Sequence, residues 1–308
     1  MTEVSNGGLA LAKAITPVYS QNPKVQAVML GGSVSRGCAD QYSDLDIAVF
    51  WVGPASVQER KAAIEQIGGE PWSFDRSPGT EHYGLRKVVI AGNRYTGTAM
   101  VSAHHVTVAE VEQSVSDVVD RLDTSLDKQG LISAIQQGIP LHGIELLLQW
   151  QTKANAYPQG LAIKMVQENL WFGPWFCPEA YVARDDLLVL HQHFLWVEQG
   201  MLKVLAGLNH IYYPSTEHKW MDQLIGDMRI APSNLSARLK QVLRLDPLQA
   251  WRELRTLIDE TLSLLESHLP EVDAGSLFES HPEVNISWAR RRWEPYPPYS
   301  LMRAIALK

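Results

Sequence analysis

Short apolar runs and period-two alternation dominate the first third of the chain, whereas a helical period of about 3.6 residues dominates the rest. The apolar runs predict buried strands, and the amphipathic segments between them predict helices. The predicted elements are a helix at Leu9–Ile15, strands at Val25–Leu30 and Leu45–Trp51, a helix at Ala55–Ile67, strands at Lys87–Ile90 and Thr98–Ala103, and a helix that opens with the capping-box pattern Thr107-Val-Ala-Glu110. This order indicates a mixed α and β domain.

Strand signals fade beyond about residue 117, and helical periodicity is clearest at Tyr181–Ala206, Asn234–Leu245 and Pro247–His268. The last segment combines prolines with Trp and Tyr residues, which is typical of an irregular arm packed by its aromatic rings. The sequence therefore predicts an α+β fold with a small mixed β-sheet domain, an all-α helical-bundle domain and a terminal arm. Their predicted bounds are residues 1–116, 117–272 and 273–308.

Composition and charge narrow the class of protein. With 45% hydrophobic and 20% charged residues, the chain is expected to fold rather than to be disordered. The formal net charge of −7 and the absence of any basic run except Arg290–Arg292 argue against a nucleic-acid partner. Two cysteines and no apolar span of about 20 residues lead us to expect a soluble cytoplasmic protein with no membrane contact.

Two carboxylates stand at the start of the second predicted strand. Asp44 and Asp46 are two positions apart, so on a strand both side chains point to the same face. Carboxylate oxygens suit a hard divalent cation such as Mg²⁺ or Mn²⁺. The pair is therefore predicted to hold a metal ion and to be catalytic.

The loop before these carboxylates has the chemistry of a phosphate site. Gly31 and Gly32 allow close approach of the backbone to a ligand, while Ser33 offers a hydroxyl and a backbone N–H to phosphate oxygens. Arg36 adds positive charge nearby. A metal held beside a phosphate-binding loop is what nucleotidyl transfer requires, because negative charge on the attacked phosphate and on the leaving pyrophosphate must be stabilised.

The segment Leu30–Phe50, with its Gly-Gly-Ser loop and Asp-x-Asp pair, resembles the signature of the DNA polymerase β-like nucleotidyltransferase superfamily. Weaker patterns in the helical half resemble bacterial proteins that join such a domain to a helical domain like that of aminoglycoside and lincosamide nucleotidyltransferases; they are Gly138–Gly143, Tyr157–Leu161 and Leu208–Pro214. The resemblance implies transfer of a nucleoside monophosphate from ATP or another nucleoside triphosphate to a hydroxyl of a small molecule. It also implies that Asn209, Tyr212 and Lys219 reach the nucleotide, with Lys219 on a phosphate.

One expected feature is missing from the sequence. Members of the superfamily usually place a third carboxylate on a neighbouring strand, yet no Asp or Glu lies between Glu81 and Glu110. Ser102 falls at or beside the expected position. Ser102, His104 and Glu198 are the candidates to replace the third metal ligand or the base.

Three hypotheses about function follow from this gap. The first is an active nucleotidyltransferase that modifies a small hydroxylated acceptor and releases pyrophosphate. The second is a nucleotide-binding or regulatory protein that has lost transfer activity with the third carboxylate. The third is a protein-modifying transferase or toxin-neutralising partner that attaches AMP to a Tyr, Ser or Thr of another protein. We take the first as the working prediction.

Overall fold

The computed structural model describes residues 1–90, 93–170, 178–214 and 219–273, with the backbone alone for residues 86–90, 93–98 and 179. These residues form an α+β fold, as predicted, with a mixed sheet in the N-terminal part and helices in the C-terminal part. The chain divides into two compact units, the first made of Met1–Pro158 with Tyr212–Thr216, and the second of Gln159–Ile211 with Glu217–Lys308. The domain bounds drawn from the sequence stay predictions, and residues 274–308 of the predicted arm lie outside the described residues.

The first unit contains all the strands that the structure describes. Its elements in chain order are α1 (Glu3–Ser20), β1 (Val25–Leu30), α2 (Gly32–Ser35), β2 (Leu45–Trp51), α3 (Val57–Ile67), β3 (Glu70–Phe74), β4 (Thr80–Ile90), β5 (Asn93–Thr107), α4 (Val108–Val119), α5 (Leu126–Gln137), β6 (Ile139–His142) and α6 (Ile144–Ala154). The predicted capping box at Thr107 and Glu110 is present at the start of α4.

The strands form one sheet in the order β3-β4-β5-β2-β1-β6. The β2–β5 pair is parallel and the other pairs are antiparallel. In the parallel pair, Asp46 lies opposite Ser102 and Ala48 lies opposite His104. This register places β2, with its predicted metal ligand Asp46, directly beside β5, the strand on which the resemblance leads us to expect a third carboxylate.

The two faces of the sheet are covered differently. On one face, Leu45, Ile47 and Val49 of β2 belong to a core cluster with apolar residues of α1 and β5. On the other face, Phe50 packs edge-on against Trp150 of α6 with ring centroids 5.1 Å apart. That contact covers the end of β2, whereas the Asp46 side chain at its start remains 30% exposed.

Two strands that the sequence analysis did not identify lie at the edges of the sheet. Each contains a proline, Pro71 in β3 and Pro140 in β6. Proline lacks the N–H that a central strand donates on one side, so it weakens a strand signal while remaining compatible with an edge position. Strands β4 and β5 are also longer than their predicted counterparts.

Two helix predictions were wrong in extent. Helix α1 runs for 18 residues rather than over Leu9–Ile15, because Thr2 caps it by accepting the Ser5 N–H and Pro17 removes a hydrogen bond only near its end. The predicted helix Tyr181–Ala206 is instead two helices, α8 (Pro178–Ala183) and α9 (Leu187–Leu208). The break falls at Asp185, whose φ of 58° is left-handed and interrupts a helix.

The second unit contains helices and no strands in its described residues. Besides α8 and α9, its helices are α7 (Gln159–Asn169), α10 (Met221–Asp227), α11 (Leu235–Val242) and α12 (Pro247–His268). Phe194 of α9 and Trp251 of α12 stack with an interplanar angle of 5°. Within the described ranges, none of the helices has the length and apolar character needed to span a lipid bilayer.

Candidate functional site

The predicted metal-binding pair lies at the entry to β2. The loop before it is shaped by Asp40, whose carboxylate accepts the Tyr42 N–H and the Ser43 hydroxyl in a local turn. The side chains of Asp44 and Asp46 are both partly exposed. Their spacing on the extended chain brings both to the face of the sheet that Phe50 and Trp150 leave open at this end.

The glycine loop is in direct contact with this pair. The Gly31 N–H donates to the Asp46 carbonyl at 2.9 Å, which joins the end of β1 to β2. Gly32 has a φ of +65°, and a Cβ atom at Gly32 would stand 1.7 Å from Asp46 Oδ2. Only glycine fits this position, because both the backbone conformation and the carboxylate exclude a side chain.

The rest of the predicted phosphate loop folds into α2. Ser33 is 5% exposed, and its carbonyl accepts the Cys38 N–H at 3.0 Å. Arg36 ends α2, and its buried Nε atom has no hydrogen-bond partner among the residues that the structure describes. A guanidinium that is not fully satisfied within the protein is suited to an added phosphate oxygen.

Ser102 lies on β5, where the resemblance leads us to expect a third carboxylate, and it contacts Asp44 of the aspartate pair directly. Its side chain is 4% exposed, and its hydroxyl donates to Asp44 Oδ2 at 2.7 Å. A hydroxyl carries one proton, so Ser102 can only accept from any other partner. The Ser102 hydroxyl therefore stabilises the orientation of the Asp44 carboxylate.

His82 is a member of this site that the sequence analysis missed. It lies on β4 opposite Ser102, and its Nδ1 atom is 2.9 Å from Ser102 Oγ. Because the Ser102 proton is directed to Asp44, the proton in the second bond belongs to His82 Nδ1. Trp72, which is 59% exposed, stacks on the imidazole at 5.1 Å. Only the pairing register of β4 with β5 reveals this residue, since His82 is 20 positions from Ser102 in sequence.

His104 lies on the same face of β5 as Ser102. Its Nε2 atom is 3.8 Å from Asp46 Oδ1, which is beyond direct hydrogen-bond distance, and its side chain is 44% exposed. The adjacent His105 points to the opposite face, where its Nε2 atom lies 2.8 Å from the buried Glu81 carboxylate. Of the two histidines, His104 is thus the one beside the carboxylate pair.

Residues 12–73 match the family model described as a nucleotidyltransferase domain. The match spans the glycine loop and both aspartates of the site. This chain contains a nucleotidyltransferase domain.

Three solved structures show low overall similarity to the chain. A nucleotidyltransferase-like protein from Exiguobacterium sibiricum 255-15 is 12% identical with a TM-score of 0.37, over 94% of this chain and 83% of that one. Two structures of the Cid1 poly(U) polymerase, one with the UTP analogue UMPNPP, are each 15% identical with TM-scores of 0.27 and 0.26, over 44% of this chain. The match spans about two fifths of the length of Cid1, at 41%. No curated protein sequence is significantly similar to this chain.

Nucleotidyltransferase domains of the polymerase β type typically use a divalent metal ion. The carboxylates of Asp44 and Asp46 fit a metal ion that binds together with a nucleotide. In the described part of the chain, no group of three or more His, Cys, Asp or Glu side chains is arranged to hold a metal ion. Asp44 and Asp46 remain as two carboxylate ligands. Mg²⁺ commonly takes one or two carboxylates and completes its shell with substrate phosphates and water.

The remaining predicted site residues belong mostly to the second unit. Lys219 is exposed. Asn209 ends α9, where its side chain donates to the carbonyls of Leu205 and Ile230 and accepts the N–H groups of Arg229 and Ile230. These bonds use its amide fully, so the expected contact of Asn209 with the nucleotide is replaced by a structural role.

Tyr212 and Glu198 are both buried. Tyr212, in the first unit, is 1% exposed, and its ring lies 4.7 Å from that of Tyr157. Glu198 lies in α9, is 5% exposed, and its Oε1 atom has no hydrogen-bond partner among the described residues. Burial raises the pKa of Glu198 from 4.5 to about 7. The role of Glu198 as the base stays a prediction.

Replacing Gly32 with alanine should destabilise the domain more than the same change at Gly68. Both glycines have positive φ, of +65° and +77°, but an added Cβ at Gly68 meets nothing within 4 Å. Gly68→Ala should therefore cost about 1 kcal/mol of unfolding free energy, from backbone strain alone. Gly32→Ala should cost at least about 1 kcal/mol more, because Asp46 must move. Urea unfolding of both variants measures the difference, and equal losses would show that Asp46 is not held against Gly32.

Glu198 should make the stability of the protein depend on pH. Its pKa is higher in the folded protein than the ordinary 4.5 of the unfolded chain, so the unfolded chain loses this proton first as pH rises. Protonated Glu198 therefore contributes fully to the stability of the folded protein below about pH 4.5, and this contribution is lost as pH rises to about 7. Relative to Glu198→Gln, the wild type should lose roughly 2 kcal/mol between pH 5 and pH 8. Urea unfolding across that range tests this, and parallel pH profiles of the two proteins would contradict it.

Proposed function

We propose that the protein is a Mg²⁺-dependent enzyme that transfers a nucleoside monophosphate from a nucleoside triphosphate to a hydroxyl group of a small molecule. The observation that supports it best is the contact of the Gly32 backbone with the Asp46 carboxylate. This contact places the loop that is proposed to bind phosphate against the Asp46 carboxylate, which can bind the Mg²⁺ ion of a nucleotide. A turn with only a structural role would not need the Asp46 carboxylate so close to Gly32 that no side chain fits there.

The phosphates of the nucleotide would lie on the β1 side of the site. Gly31 and Gly32 would let the backbone approach the phosphates closely, although the Gly31 N–H is itself engaged with the Asp46 carbonyl. The Ser33 hydroxyl would be a donor of this loop, and Arg36 would supply positive charge. Lys219 is proposed as a further phosphate contact on the strength of the sequence resemblance. The metal, held by Asp44 and Asp46, would neutralise charge on the attacked phosphate and on the leaving pyrophosphate.

The acceptor would approach from the opposite side. In-line transfer requires the attacking oxygen and the leaving pyrophosphate to stand on opposite sides of the attacked phosphorus. The phosphate loop follows β1 on one side of β2, and β5 and β4 lie on the other. The acceptor oxygen would therefore bond to phosphorus from the side of Ser102 and His104, as the bond from phosphorus to the bridging oxygen of pyrophosphate breaks.

The acceptor hydroxyl must lose its proton as this bond forms. His104, exposed beside Asp46, is the candidate that the geometry supports to receive it, and Glu198 is a candidate from the sequence alone. Ser102 is less suited to this role because its hydroxyl is engaged with Asp44 and His82. Its proposed role is to replace the third carboxylate in orienting Asp44.

A second candidate function is nucleotide binding without transfer, in a regulatory role. The observation that favours it is the same serine, since Ser102 lies directly opposite Asp46 and brings no negative charge to the site. Loss of a catalytic base commonly slows a reaction about 10²- to 10⁴-fold. Binding of nucleotide without release of pyrophosphate would identify this function, and labelling of a protein acceptor with AMP would identify a protein-modifying transferase instead.

The double variant Asp44→Asn with Asp46→Asn should lose metal-dependent nucleotide binding and pyrophosphate release. Neutral amides keep the shape of both side chains but remove the charge that attracts the cation. The measurements are pyrophosphate release with Mg²⁺, each of the four ribonucleotides and a panel of hydroxylated small molecules, and calorimetric titration of the same nucleotides. Retained affinity in a folded variant would refute the proposed site.

The variant Ser102→Asp should gain activity if the missing carboxylate limits the reaction. A carboxylate on β5 would restore the third acidic group beside Asp44, and pyrophosphate release should rise by about 10²-fold or more. Ser102→Asn is the matched control, since it has a similar volume and no charge. An equal rate in both variants would mean that this position is not the one that limits transfer.

A further inference from the structure

A hydrogen-bonded chain of three residues crosses three strands on the open face of the sheet. It runs from His82 on β4 through Ser102 on β5 to Asp44 at the entry of β2, with lengths of 2.9 Å and 2.7 Å. Ser102, the middle member, is 4% exposed. The chain ends on a carboxylate to which the proposed function assigns the metal.

The Ser102 hydroxyl has one proton, and the bond from His82 restricts where that proton can point. A free serine hydroxyl can rotate and direct its one proton to any nearby acceptor. When Nδ1–H of His82 donates to Ser102 Oγ, one lone pair of that oxygen is taken, and the proton is left for Asp44 Oδ2. The imidazole is itself held in place by the indole ring of Trp72, which lies at an interplanar angle of 29°.

We propose that His82 is a positioning residue for the metal site, acting through Ser102. By fixing the serine hydroxyl on Asp44 Oδ2, it sets the rotation of that carboxylate and leaves the Oδ1 atom for the cation. This inference rests on the proposed function, since it assigns a metal to Asp44. Hydrogen bonds of this kind to metal ligands commonly change metal affinity by about 10- to 100-fold.

The experiment is a calorimetric titration with the Mn²⁺ complexes of the four α,β-methylene ribonucleoside triphosphates, which cannot release pyrophosphate. The proteins are the wild type, His82→Ala, His82→Asn, Ser102→Ala and the double variant with both alanines. His82→Ala should bind the preferred complex about tenfold more weakly. His82→Asn should bind within about threefold of the wild type, because its amide nitrogen is attached to Cγ as Nδ1 is and can donate the same bond.

Two further comparisons separate positioning from a general structural role. His82→Ala should add no loss in the Ser102→Ala background, because His82 acts only through that hydroxyl. The wild type and His82→Ala should bind the same nucleotides equally in EDTA. Equal affinity in Mn²⁺, additive losses in the double variant, or an equal loss in EDTA would each overturn the inference.

Failure of the proposed function has a different signature. If the wild type binds none of the Mn²⁺ complexes more tightly than in EDTA, Asp44 and Asp46 do not hold a metal with the nucleotide. The proposed function and the role of His82 then fall together. A wild type that binds in a metal-dependent way, with an unaffected His82→Ala variant, refutes the role of His82 alone.

Discussion

The parallel pairing of β2 with β5 is the constraint on which the site depends. It sets Asp46 opposite Ser102 and Ala48 opposite His104. Because side chains alternate along a strand, a shift of one residue would turn Ser102 and His104 away from the carboxylates and bring Val101 and Ala103 toward them. The hydrophobic core on the other face opposes such a shift, since Val101 and Ala103 are completely buried there.

A buried ionic network on that opposite face reinforces the same register. Glu81, which is fully buried, lies between Arg60 of α3 and His105 of β5. Arg60 also makes a two-pronged contact with Asp75 at 2.8 Å, and it lowers the pKa of that carboxyl to about 2. Removing Arg60 would leave the buried Glu81 carboxylate without its guanidinium partner, and the loss of such a partner commonly costs about 3–5 kcal/mol. Since Glu81 precedes His82 in the chain, a network that fixes one also fixes the other.

In the proposed function, the side of the site that takes phosphate and metal keeps its expected residues, whereas the side that takes the acceptor is altered. The glycine loop and the aspartate pair follow the pattern of the nucleotidyltransferase domain, whereas a neutral serine and two histidines stand where a third carboxylate is expected. A serine between a carboxylate and an imidazole preserves the orientation of Asp44 without adding charge. In the proposed function, metal binding and acceptor activation, which a third carboxylate would serve together, would be divided between different side chains.

The sequence by itself determined the α+β class, the strands β1 and β2, the helix α12 and the glycine loop with its aspartate pair. These features depend on neighbouring residues, because apolar periodicity, glycine conformation and carboxylate spacing are local properties of the chain. Tertiary structure alone decided which strands pair and in what register. It therefore revealed the edge strands β3 and β6, placed His82 beside Ser102, and assigned Asn209 to the end of α9. The pairing of β6, the position of His82 and the bonds of Asn209 depend on contacts between residues about 20 or more positions apart, and β3 depends on its pairing with β4; no local pattern specifies these contacts.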